Sequence, residues 1–114
     1  MGLLAAIALA LPSGSLLGAD ARVFTLAIRD QRVDVPERTI RVTRNDRVEL
    51  HWSADEPTTL HLHGYDLEVE VSPERPASMR FEARITGRFP VARHRHRGGH
   101  GHHEPVLYLE VHPD

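Results

Sequence analysis

From residue 22 onward the chain never sustains the 3.6-residue spacing of apolar side chains that a helix requires. Apolar and polar residues alternate instead over short stretches broken by turn formers. The clearest stretch is 47–52, Arg-Val-Glu-Leu-His-Trp, where Val48, Leu50 and Trp52 share one side of an extended chain and Glu49 and His51 share the other. Such a strand is covered on one face only. Met79 with Phe81, Phe89 with Val91, and Leu107 with Leu109 and Val111 repeat the pattern. The alternation predicts strands over 23–28, 33–35, 39–43, 47–53, 59–63, 67–71, 77–83, 87–92 and 106–112. Asn45-Asp46 reads as a turn, and Ser72-Pro-Glu-Arg-Pro76 as a longer connection. Seven to nine short strands at this spacing predict an all-β domain of two sheets packed face to face, with a closed barrel as the competing architecture.

The 114 residues leave room for one core. Met1 to Leu11 form an apolar run bounded by Pro12, Ser13 and Gly14, and Ala19-Asp20-Ala21 follows as a small-x-small site. This reads as a signal peptide over 1–21, cleaved after Ala21, ahead of a domain over 22–114 exported to the periplasm or beyond. A run of about ten apolar residues is too short for a stable membrane anchor. No Lys or Arg precedes the run, and a buried N-terminal helix is the alternative reading.

There is no cysteine, which excludes disulfides, thiolate metal sites and a cysteine nucleophile. The net charge is −2, and the basic residues, all arginine, are scattered among acidic ones, so no electrostatic footprint for nucleic acid or anionic lipid exists. Histidine is the unusual component: nine in the chain. Thr59-Leu-His-Leu-His63 places His61 and His63 on the same side of one strand, backbones roughly 6.5 to 7 Å apart. If Leu60 and Leu62 face the core, both histidines face away from it. The second cluster, His94-Arg-His-Arg-Gly-Gly-His-Gly-His-His-Glu104, offers His94, His96, His100, His102 and His103 in a glycine-rich loop. Neutral imidazole is the commonest ligand for Cu(II), Zn(II) and Ni(II). The competing reading is a solvated polar loop. His51 and His112 alternate with core residues and read as exposed strand positions, and Glu68 and Glu70 as a solvated strand face. Asp66 is placed to orient an imidazole.

The order of these pieces resembles the cupredoxin family over nearly the whole of 22–114. The matching residues are His63-Gly-Tyr-Asp-Leu-Glu-Val69, Ser72-Pro-Glu-Arg-Pro-Ala77, Met79-Arg-Phe81, Gly87-Arg-Phe89, a histidine loop and a closing Leu107-x-Leu109-x-Val111. The resemblance implies a cupredoxin-like Greek-key β-sandwich with His63 as first copper ligand and His96 as the second histidine. The family's cysteine position is Arg93, and no methionine stands at 101–105. A blue-copper centre needs the thiolate, so none is expected. What survives is an all-imidazole site drawn from His61, His63, His94, His96, His100, His102 and His103, suited to tetragonal Cu(II) or tetrahedral zinc. The expected role is an exported metal carrier, buffer or sensor, binding copper before zinc and meeting another envelope protein. The alternatives are electron transfer through a non-blue copper, and a metal-free interaction module. His61-Leu-His63-Gly64 is also similar to the His-x-His-Gly of multicopper oxidases, but those need several coppers and more than one domain, so no enzyme is expected.

Overall fold

The computed structural model describes residues 21–94 and 103–114. The expected signal segment, and with it His96, His100 and His102, lies outside the described residues. Nine strands follow in order: β1 (Ala21–Arg29), β2 (Arg32–Val33), β3 (Thr39–Thr43), β4 (Arg47–Ala54), β5 (Thr58–Leu62), β6 (Leu67–Val71), β7 (Ala77–Glu82), β8 (Gly87–His94) and β9 (His103–His112). A 3-10 turn, Pro36–Arg38, links β2 to β3. Proline at its first position presets the backbone, and Asp34-Val35-Pro36 is a turn signal that the alternation left unread.

The strands form a four-stranded sheet in the order β2-β1-β4-β7 and a five-stranded sheet in the order β3-β9-β8-β5-β6. Both are mixed: β1 runs parallel to β4 and β3 parallel to β9, while the other pairs are antiparallel. The chain crosses between sheets at β2–β3, β3–β4, β4–β5, β6–β7 and β7–β8. This is the expected two-sheet sandwich, not a closed barrel.

The alternating residues fill the space between the sheets. Val48, Leu50 and Trp52 of β4 meet Leu60 and Leu62 of β5, Met79 of β7, Val91 of β8, and Leu107, Leu109 and Val111 of β9, all buried. Each large side chain taken from water there contributes roughly 1.5–3 kcal/mol, which is what offsets the chain entropy of so many ordered strand residues.

The β8–β9 ladder carries the irregularity that shapes one end. Val91 pairs with Leu107, yet Ala92 pairs with Pro105, so Val106 is an extra residue in a bulge. Pro105 is tolerated beside that bulge because its missing N–H interrupts no regular rung. Beyond it the ladder continues through Arg93 opposite Glu104 and His94 opposite His103. Those four residues, expected in a pliable loop, are strand residues.

Candidate metal centre

Leu60 and Leu62 are fully buried, and alternation therefore turns Thr59, His61 and His63 to the outer face of the five-stranded sheet. Across the ladder, His61 stands opposite Ala92 of β8 and Thr59 opposite His94. Ala92 is itself buried there. On the other flank, β6 sets Glu68 opposite His61, so a carboxylate occupies the same face.

The three described imidazoles lie close together on this face. The His61 and His63 rings are 4.3 Å apart between centroids and stand edge to face, while His61 and His94 are 5.7 Å apart. His61 Nδ1 is 3.4 Å from His63 Nε2, and His61 Nε2 is 3.3 Å from Asp66 Oδ1. The Asp66 side chain is 99% exposed, while that of His61 keeps 20% of its surface exposed.

The turn after β5 is held rigidly, which fixes the position of His63. Its backbone N–H donates to the Pro90 carbonyl at 3.0 Å. Gly64 has φ +88, and a Cβ there would fall 2.6 Å from Phe89 Cε1, so only glycine fits. The Tyr65 hydroxyl donates to the Ile85 carbonyl at 2.8 Å and accepts from the Ile85 N–H at 2.9 Å. Its ring packs against Phe81 and Phe89. Burial raises the Tyr65 pKa above the usual phenol range, opposed by the bond to Ile85.

The donor chemistry fits a transition metal in part. Two nitrogens bound at about 2.05 Å with a tetrahedral angle lie roughly 3.3 Å apart, close to the His61–His63 spacing, whereas a good hydrogen bond between them is about 2.9–3.0 Å. A third ligand is the difficulty. His63 and Thr59, the rung partner of His94, lie two residues either side of His61. Among the described residues no group of three or more His, Asp or Glu is arranged to hold a metal ion.

Position 93 takes a different course. The alternation Phe89, Val91, Arg93 carries the arginine to the core face, opposite Leu60. Arg93 is 5% exposed, and its Nη2 donates to Glu104 Oε2 at 2.7 Å and to Gln31 Oε1 at 3.1 Å. His63 is bonded to Pro90 instead, three residues and roughly 10 Å of strand away. His61 on β5 and His63 just after it thus both border β8, His61 opposite Ala92 and His63 through its bond to Pro90, while His96, His100 and His102 lie outside the described residues. The buried ion pair of Arg93 went unread in the sequence, although its alternation with Phe89 and Val91 was visible. His51 bonds Ser78 and Glu49, and His112 bonds Glu110, so both are ordinary strand-surface residues.

No family model matches the chain, and no curated protein does. Solved structures do. The periplasmic domain of subunit II of cytochrome oxidase (CoxB) of Bradyrhizobium japonicum superposes with a TM-score of 0.62 at 14% identity, over 81% of this chain and 84% of that one. A heme-copper terminal oxidase matches with a TM-score of 0.59 at 18% identity, over 82% of this chain and 65% of that one. A multicopper oxidase gives 0.62 at 18% identity, over 90% of this chain and 45% of that one. The chain thus spans less than two thirds of the length of the two oxidase chains. These matches define the fold class: a cupredoxin-like β-sandwich of nine strands.

Proposed function

We propose that this chain is an exported metal-handling module that binds a transition metal, copper before zinc, through imidazoles on the outer face of β5 and β8. The observation that carries the reading is the His61 ring standing between His63 at 4.3 Å and His94 at 5.7 Å. His61 and His63 supply the paired nitrogens, and His94 leads into the stretch holding His96, His100, His102 and His103, from which the remaining ligands come. Without thiolate or thioether, such a set favours Cu(II) and gives no blue centre. The role that fits is carrier, buffer or sensor, with delivery to another envelope protein.

Three things support this reading: the density of imidazole, the apolar N-terminal run, and a fold shared with a periplasmic oxidase domain. No helix among the described residues is long and apolar enough to cross a membrane. The second reading is a metal-free interaction module. Competition titration of the purified protein with Cu(II) and Zn(II) against a chromophoric chelator decides between them. Sub-micromolar Cu(II) binding weakened by His61→Ala supports the metal reading, and binding no tighter than tens of micromolar, or unchanged in that variant, contradicts it.

A further inference from the structure

A cavity of about 810 Å³ opens at the end of the sandwich where β5 begins and β8 ends. Arg93 lines it together with Arg75, Thr58 and Gln31, and Glu56 and Glu70 belong to the same wall. The volume lies in the range of small-molecule sites. Its lining carries unmet hydrogen-bonding capacity. Arg93 is 5% exposed, its bonds to Glu104 and Gln31 both leave from Nη2, and its Nε is buried without a partner. The Thr58 hydroxyl in the same lining is also buried without a partner. A guanidinium has five N–H donors and is most strongly engaged by two parallel bonds to a carboxylate. Its protein carboxylate, Glu104, has a side chain 64% exposed, and is the partner an incoming carboxylate would share or replace.

Arg93 is the buried cation of the lining, whereas Glu56, Glu70 and a second arginine, Arg75, are exposed. We propose that this cavity binds a small zwitterion of amino-acid type, its carboxylate on Arg93 and the Thr58 hydroxyl and its cationic group toward Glu56 and Glu70. Two carboxylates, Glu56 and Glu70, against two guanidiniums, Arg75 and Arg93, balance the lining, which suits a zwitterion better than a multiply charged anion such as phosphate. His61 and His63 do not line it, although His94 borders both places, and the carboxylate contacts need no metal.

The test is titration of the full chain, kept in chelator, with arginine, agmatine, acetate and inorganic phosphate, followed by amide chemical shifts and calorimetry. Arginine is expected to bind at least roughly tenfold more tightly than agmatine, which lacks the carboxylate, and than acetate, which lacks the cation. Arg93→Gln should weaken arginine binding by roughly tenfold or more, and Thr58→Val by roughly two- to fivefold. If Arg93→Gln does not fold, Thr58→Val carries the test. Equal binding of agmatine, tighter binding of phosphate, or no loss in Thr58→Val overturns the proposal. Because chelator is present throughout, failure here leaves copper binding untouched.

Discussion

Arg93 stands opposite Leu60 on the β5–β8 ladder, its guanidinium buried on the core face and held by Glu104 at 2.7 Å. A fixed cation thus occupies the position where the cupredoxin resemblance puts a cysteine, and the imidazoles face the other side of the same sheet. Glu104→Gln leaves that cation with only the Gln31 contact and is expected to cost about 1–2 kcal/mol, less than a fully buried pair because the carboxylate is 64% exposed. Replacing both partners, Arg93→Met with Glu104→Gln, should recover most of the loss. Urea denaturation of the four proteins in a double-mutant cycle measures it.

Gly64→Ala should be the most damaging change near the histidines. It combines a left-handed backbone at φ +88 with a Cβ pressed against the Phe89 ring, at an expected cost above about 2 kcal/mol. Thermal unfolding reads this directly.

Acid should loosen the far edge of the same sheet. Glu110 accepts from His112, and Arg41 and Arg88 lie beside it; these contacts, led by the His112 bond and opposed by burial, hold its carboxyl below the usual range. A depressed folded pKa gives stability that is present above the ordinary carboxylate range, about pH 4, and lost as pH falls through the folded value. Glu110→Gln should therefore be less stable than wild type at pH 7 and converge with it as the pH drops to acid values, measured by denaturant midpoints across pH.

Metal affinity should separate the histidines by position. His61→Ala is expected to weaken Cu(II) binding by roughly tenfold or more, whereas His51→Ala and His112→Ala, engaged with Ser78, Glu49 and Glu110, should leave it unchanged. Competition titration of the three variants checks this. Binding should also weaken in acid, since a proton competes with the metal for a ligating nitrogen.

The period-two pattern located the nine strands of the described residues, and Val48, Leu50 and Trp52, buried in alternation on β4, show how local that signal is. Strand partners were not legible. The parallel pairing of Leu26 with Trp52, and the rung joining Thr59 to His94, are set by contacts between distant stretches that no local pattern encodes. The same limit hid that His61 would stand opposite Ala92 of β8. The outward turn of His61 and His63 could be read from Leu60 and Leu62, but the distance of His63 from the residue-93 end depends on antiparallel register. Arg93, His94, His103 and Glu104 read as loop because they are polar and close to Gly98, Gly99 and Gly101. Main-chain pairing next to an established ladder extends the strands there without apolar side chains.

The account stands most directly on paramagnetic broadening of the amide spectrum by sub-stoichiometric Cu(II). Signals of His61, His63 and His94 should be among the first to vanish, together with the facing Ala92 and Glu68. Loss confined to residues 95–102, with β5 sharp at one equivalent of metal, would contradict it.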